Sequence, residues 1–302
     1  MKTTKITALL ALIAAAALAA TAGLAAVAAP DTARMALRAE DIPNSKAKGK
    51  RIKPDAGYTA AYEREFELSK PLGRSLLLYI SSEVALAATT RTTMADMADL
   101  RKFLGSKRGR ELLADSMRVE LGATAKKGDV TIGKVRTPAI GDEAVMLPLT
   151  VRTKVGRFHS AIAWFRVDRT RSFLVVVGLR PVGPAEVGRL GAMMVAHVGE
   201  QFTPVATVPP TIAGTPQPGQ TLTLTAATFS TPATLTQTWQ RCDSAGAACL
   251  DIVGATSPTY VVATEDAGTT LRATITATNR FGAASSQSAQ TAVVAQATPP
   301  GG

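Results

Sequence analysis

From Val208 to Asn279 the chain is broken by Gly or Pro at intervals of about ten residues, and the pieces between are rich in Thr and Val. Leu222-Thr223-Leu224-Thr225 alternates apolar and polar side chains, and Ala273-Thr274-Ile275-Thr276-Ala277-Thr278 does the same. A period of two belongs to a strand with one buried face, and no run here is long enough for a helix. Many short strands split by turn residues fold as two packed sheets. Residues 205–296 are therefore read as an all-β sandwich, followed by a flexible tail at 297–302. Trp239 is expected to fill the space between the sheets, and Tyr260 to pack there with its hydroxyl hydrogen-bonded. Asp266, two residues before Gly268, suits a tight turn; a calcium ligand is the second reading.

The 302 residues include two cysteines, Cys242 and Cys249, separated by Asp-Ser-Ala-Gly-Ala-Ala. Their chemistry depends on the compartment. Lys2 and Lys5 precede an unbroken apolar run from Ala8 to Ala20, and Ala26-Val27-Ala28 is an A-x-A site. Residues 1–29 thus read as a signal peptide with cleavage before Ala29. The alternative is an uncleaved anchor, because the largely apolar stretch from Ile6 to Ala29 is long enough for a bilayer. No second stretch reaches that length, so the mature chain is expected to be secreted, without a transmembrane segment. In an exported chain the two cysteines are expected to bond across a hairpin. A redox pair needs a two-residue spacing that is absent here.

A length of 302 residues fits about two domains. The first is read over 57–204. Tyr58 to Leu68 interleaves apolar residues with Glu63, Glu65 and Glu67, and Leu76 to Ile80 is a short apolar run; both read as strands. Met94, Met97, Leu100 and Leu104 fall near one helical stripe ending at Gly105. Ser106 can cap a second helix through Leu112, Leu113, Met117 and Leu121. Strands follow at 130–135, 144–151, 158–167 and 173–179, joined by short polar turns that make antiparallel hairpins. Pro184 opens a last helix whose stripe is Val187, Leu190, Met194 and Val198. The expected architecture is α+β, an antiparallel sheet with helices on one face.

Residues 30–56 read as a basic flexible arm, with Lys46, Lys48, Lys50, Arg51 and Lys53 set among Pro43, Gly49 and Pro54 and few large apolar side chains. Residues 205–302 carry three basic and four acidic side chains and the leader two basic ones. The formal charge of +11 therefore leaves +10 on residues 30–204. Outside a cell such a field attracts anionic wall polymers or lipid headgroups, with the five arm residues as candidate contacts. The plainer readings are solubility and a solvated linker. Specific nucleic-acid recognition is not expected, because the basic residues lack a recognition motif and interleaved aromatics.

Catalytic chemistry finds little support. The histidines are His159 and His197. His159 and Ser160 are neighbours on a strand and point to opposite faces. Nucleophile-elbow, Ser-x-x-Lys and HExxH motifs are absent, as is a metal-spaced His or Cys set. Asp142 and Glu143 are adjacent in a turn, which suits solvation and not acid–base work. No enzyme activity, catalytic residue, metal or cofactor is expected.

Two resemblances add to this reading. Trp239-Gln240-Arg241-Cys242, Asp251-Ile252-Val253-Gly254-Ala255-Thr256, Asp266-Ala267-Gly268 and the strand Arg272 to Asn279 stand in an order and spacing that resembles the Ig-like repeat of secreted actinobacterial surface proteins. That resemblance implies an Ig-like sandwich serving as a spacer or adhesion module. Ile140-Gly141-Asp142-Glu143-Ala144, two strands, Phe173-Leu174-Val175-Val176-Val177 and a closing helix resemble actinobacterial exported sensor-like domains, of which the extracellular domains of PknH-type receptor kinases are the best known. This second resemblance implies a ligand-binding module with a cleft between sheet and helices, here without that group's disulfides. The combined expectation is an exported, non-catalytic cell-envelope protein. Its sensor-like domain binds a ligand or partner, with Trp164 and Phe165 as candidate aromatic contacts, and its Ig-like module offers a protein-binding surface. One alternative is a purely structural surface protein acting through the Ig-like domain. The other is a secreted enzyme in which His159 meets an acid from another strand.

Overall fold

The computed structural model describes residues 30–121, 126 and 128–296; the expected signal peptide, its cleavage site and the tail at 297–302 lie outside the described residues. These residues form two compact units, 30–201 and 202–296.

The first unit begins with α1 (Thr32–Met35), a 3-10 turn (Ala39–Asp41), β1 (Ser45–Ile52), β2 (Tyr58–Leu72) and β3 (Leu77–Ala87). The helical hairpin α2 (Thr90–Gly105) and α3 (Lys107–Leu121) follows, then β4 (Val130–Ile132), β5 (Glu143–Thr153), β6 (Gly156–Val167), β7 (Thr170–Gly178) and α4 (Pro184–Phe202). The strands form one seven-stranded sheet in the order β1-β2-β3-β7-β6-β5-β4. Every pairing in it is antiparallel.

Alternation decides how the sheet is covered. On one face Tyr79, Val145, Leu147, Leu149, Ile162, Val175 and Val177 pack with Met97 and Leu104 of α2 and Leu113 and Met117 of α3. Their strand neighbours point the other way. Phe66, Ile80, Val84, Met146, Phe165, Leu174 and Val176 are just as completely buried on that second face. Arg64 lies on it too and donates to the Leu37 carbonyl at 2.7 Å, which places the segment after α1 there. α4 reaches the same segment through His197, whose Nδ1 lies 3.2 Å from the Ala36 carbonyl. Its fully buried stripe Val187, Leu190, Met194 and Val198 belongs to this layer. The sheet therefore has helices on both faces, where the sequence led us to expect one.

The segment expected as a mobile arm is part of the fold. Met35, Ala36, Leu37 and Ile42 are at most 1% exposed, and β1 pairs with β2 along its whole length. Few apolar residues suffice because the edge strand is held by its backbone ladder and by cross-strand charge pairs. The α2 stripe also differs by one residue. Thr93 is fully buried and donates to the Asp168 carbonyl at 2.8 Å, whereas Met94 is 51% exposed. Thr93, Met97, Leu100 and Leu104 keep the i, i+4, i+7, i+11 spacing that one helix face requires. Ser106 does cap α3, accepting from the Gly109 N–H at 2.9 Å.

The second unit contains β8 (Ala206–Val208), β9 (Thr211–Ala213), β10 (Thr221–Thr225), β11 (Thr228–Phe229), β12 (Thr234–Cys242), β13 (Leu250–Asp251), β14 (Thr259–Val261), a 3-10 turn (Thr264–Asp266), β15 (Thr270–Asn279) and β16 (Gly282–Gln287). They form antiparallel sheets in the orders β14-β10-β9, β11-β8 and β13-β12-β15-β16. One core joins them, with Leu222 and Leu224 of β10 meeting Trp239 of β12 and Leu271, Ala273 and Ile275 of β15. Trp239 is fully buried, donates its indole N–H to the Ser257 carbonyl at 2.9 Å and stacks on Tyr260 with centroids 5.5 Å apart. Cys242 and Cys249 are bonded to each other across the β12–β13 hairpin.

Two outcomes follow. Replacing both cysteines by serine is expected to cost the second unit about 2 to 3 kcal/mol, the entropy of closing a short loop, read as a lower urea midpoint for its transition. In the first unit, amide hydrogen exchange of the β1 residues facing β2 is expected to be slow. Lys48→Glu, which sets a carboxylate opposite Glu65, is expected to speed that exchange and to cost about 0.5 to 1 kcal/mol.

Candidate functional site

Three charged or polar constellations are the candidates in the first unit, beginning with the basic segment. Lys46, Lys48 and Lys50 lie directly opposite Glu67, Glu65 and Glu63 in the β1–β2 register. Lys50 Nζ is 3.2 Å from Glu63, whose hydrogen bond and charge hold the ammonium above its usual pKa. Arg51 points to the other face and pairs with Asp31 at 3.5 Å. Lys53 lies past the strand end and is exposed. Four of the five expected anion contacts thus have a carboxylate across from them or beside them, so the segment is an internally neutralised ladder and not a free cationic patch.

The second constellation is buried and was not foreseen. Arg171 of β7 donates to Asp55 at 2.6 Å and to Asp96 of α2 at 3.2 Å, lies 3.8 Å from Glu83 of β3, and stacks over the Tyr58 ring at 4.5 Å. Tyr58 donates its hydroxyl to Asp96 at 2.5 Å. One guanidinium thereby ties the β1–β2 connection, two strands and a helix together. Burial pushes the Glu83 carboxyl up to about 7; Arg171 opposes the shift, while Glu63, directly across on β2, and Asp55 add to it. The sequence signal was a lone Glu in the otherwise uncharged run from Leu76 to Leu86.

The third lies at the β4–β5–β6 end of the sheet. A cleft of ≈ 230 Å³ is lined by Thr131, Gly133, Pro148, Leu149, Thr150, His159, Ser160, Pro181 and Val182. The register sets Thr131, Thr150 and His159 in one row across three strands, and Thr150 Oγ1 is 3.3 Å from His159 Nδ1. Ser160 faces the opposite layer, as alternation requires. His159 meets a hydroxyl, and among the described residues no carboxylate orients its ring. The cleft therefore offers hydrogen-bonding groups over an apolar floor.

Other residues singled out from the sequence serve the fold. Phe165 is fully buried, and Trp164 packs into the α2–α3 layer with its ring 5.3 Å from that of Phe173, so neither is an exposed aromatic contact. Gly141 adopts φ +61°, and a Cβ there would lie 2.4 Å from the Arg166 carbonyl oxygen, so the turn needs glycine. The carboxylates after it are not merely solvated. Arg166 pairs with Asp142 at 3.3 Å and with Glu143 at 3.1 Å, and Glu143 also reaches Arg101 of α2 at 3.1 Å. His197 is buried with its Nε2 3.7 Å from Asp41. In the second unit Asp266 is fully buried and accepts from Arg241 Nε at 2.6 Å, the Tyr260 hydroxyl at 2.7 Å and the Ala263 N–H at 2.8 Å. Its oxygens are committed to the fold, which leaves no place for calcium on this carboxylate. Burial and the Asp266 hydrogen bond push the Tyr260 hydroxyl up to about 12.

Glu83 gives a pH dependence of definite sign. Its folded-state pKa lies above the ordinary carboxylate value, so the native state keeps a proton that the unfolded chain releases. The stability from this group is full below the unfolded pKa and is lost as pH rises through about 7. Glu83→Gln keeps the shape and removes the charge. It is expected to match the parent near pH 4 and to exceed it at pH 8 by on the order of 2 kcal/mol, measured as urea midpoints across that range. An equal difference at both pH values would sink the assignment.

No protein-family model and no curated protein matches the chain. Among solved structures it is similar to the crystal structure of the extracellular domain of PknH from Mycobacterium tuberculosis, with a TM-score of 0.38 and 12% identity over 56% of this chain and 95% of that one.

Proposed function

We propose that the chain is an exported, non-catalytic cell-envelope protein in which the first unit is a sensor-like module that binds a ligand or partner and the second is an Ig-like spacer or adhesion module. The observation that carries this reading is the Cys242–Cys249 bond in the β12–β13 hairpin, because such structural disulfides persist in oxidising compartments outside the cytosol. Two sheets packed on a buried tryptophan support the Ig-like assignment. The cleft at the β4–β6 end, where Thr150 and His159 offer hydrogen bonds beside Pro148, Pro181 and Val182, supports a binding role for the first unit. No helix among the described residues is long and apolar enough to cross a membrane. Anionic envelope polymers or lipid headgroups remain the partners of the first unit, though not through the β1 lysines.

One observation favours a structural surface protein that acts through the second unit instead. Leu250, Val253 and Val261 are 75%, 98% and 60% exposed, which suits a protein partner on that module.

Expression of the full chain in an exporting host tests the reading. The mature protein is expected outside the cytosol, beginning at Ala29, with both thiols closed to alkylation until a reductant is added. It is also expected to sediment with purified envelopes. Retention in the cytosol with both thiols open to alkylation would overturn it.

A further inference from the structure

We infer that the β4–β6 end of the first unit is a binding site for a phosphate-bearing ligand, held by Arg152 and Arg157 with its organic part in the cleft lined by Thr150 and His159. This rests on the reading of that unit as a binding module and names the ligand chemistry. Among the described residues, 126–136 and 150–159 carry six basic side chains and one acid, Asp129, whose Oδ2 accepts from the Lys126 N–H at 2.7 Å. Lys154 lies in the turn between Arg152 and Arg157 and adds to the charge at this strand end.

The register makes the concentration specific. Arg152 stands directly opposite Arg157 across the β5–β6 pair, and Thr150 stands opposite His159 two residues further in. Residues two apart on a strand share a face, so the two guanidiniums form the row next to the His159–Thr150 row, on the cleft side of the sheet. Both arginines are exposed, and among the described residues neither side chain has a hydrogen bond or ion pair. Like charges directly opposite each other destabilise a strand pair. The sheet's other directly opposite like charges each have an opposite charge beside them: Glu63 and Glu83 have Lys50 and Arg171, and Arg166 and Arg171 have Glu143 and Asp55. At Arg152 and Arg157 no carboxylate among the described residues pairs with either guanidinium, which leaves both free for a bound anion.

Two guanidinium forks with a joint charge of +2 match a phosphate monoester, which carries close to two negative charges and several acceptor oxygens; a carboxylate matches one fork only. Behind the arginine row, Thr131, Thr150 and His159 offer hydrogen bonds to hydroxyls, and Pro148, Pro181 and Val182 provide an apolar wall. A cleft of ≈ 230 Å³ takes a body of a few heavy atoms, such as a glycerol or part of a sugar ring. The same headgroup occurs in free phosphate esters, in phosphate-linked polymers and in phospholipids.

The test uses the full chain in phosphate-free buffer at constant ionic strength. Thermal shift and calorimetry are run with inorganic phosphate, glycerol 3-phosphate and acetate, and flotation with phosphatidylcholine vesicles with or without phosphatidic acid. Saturable binding of glycerol 3-phosphate is expected, tighter than inorganic phosphate and much tighter than acetate. Arg152→Gln with Arg157→Gln is expected to weaken it roughly tenfold or more, since two charge-assisted contacts are lost. The equally neutralised control Lys102→Gln with Arg108→Gln, on exposed helix positions, is expected to bind as the parent does. Without ligand, the Arg152→Gln single variant is expected to melt at or above the parent temperature, which separates loss of binding from loss of fold. Vesicle binding that needs phosphatidic acid and both arginines assigns a lipid source; binding of the soluble ester alone assigns a free or polymer-borne one. The site is overturned if no phosphate compound binds saturably, or if the control loses binding as fully as the arginine variant. If the chain still sediments with envelopes in that case, only this site falls; if it does not, the binding-module reading falls with it.

Discussion

The first unit depends on a sheet whose middle strands bury both faces. β7 lies between β3 and β6, and its Val175 and Val177 feed one layer while Leu174 and Val176 feed the other. A strand of this kind must be covered twice. The chain meets the requirement with the α2–α3 hairpin on one side and with α1 and α4, drawn from opposite ends of the unit, on the other. This is why the first described residues cannot be a loose arm. If Met35, Leu37 and Ile42 left the second face, apolar surface around Phe66 and Ile80 would meet water, at about 25 cal/mol for each Å².

Covering the faces leaves the two edges, and the unit treats them differently. β1 is a full-length edge strand with lysines on the face it shares with the β2 glutamates, which both fixes its register and discourages pairing with another chain. A slip by one residue would set Lys48 opposite Arg64 or Phe66 and break every pair at once. The β4 edge is only three residues long, and beyond it Arg152 of β5 and Arg157 of β6 stand opposite each other with no carboxylate across from either. One edge is neutralised and the other is left charged; a net charge alone does not distinguish the two.

Much of this was legible from sequence, for identifiable reasons. Strand positions follow from alternation, and the α2–α3 hairpin from its stripe and the Ser106 cap. The uninterrupted run Phe173 to Val177 already carried the second layer, since a strand buried on both faces reads as continuous apolar sequence. Short hairpin connections drew attention to one face instead. The arm was misread because composition counts apolar residues without knowing their partners. Lys46, Lys48 and Lys50 look like a solvated run until Glu67, Glu65 and Glu63 are set opposite them. Arg171 was invisible for the same reason: Asp55 lies 116 residues away, and no local pattern links them.

The second unit shows the converse, residues with functional chemistry that are used for the fold. Asp266 is fully buried, a position that costs a carboxylate several kcal/mol unless its charge is met. Arg241, Tyr260 and the Ala263 N–H meet it, and each comes from a different part of the unit: the end of β12, β14 and the 3-10 turn. Arg241 is next to Cys242, so the ion pair and the disulfide fix the same strand end from two directions. With the acid and the tryptophan buried and the arginine and the tyrosine tied to that acid, the unit meets other molecules through what is left outside. That is a thinly charged surface with Leu250 and Val253 on or just past the short edge strand β13. A module built this way is suited to holding distance or to binding a protein through shape and apolar area. Recognition of a charged ligand falls to the β4–β6 end of the first unit.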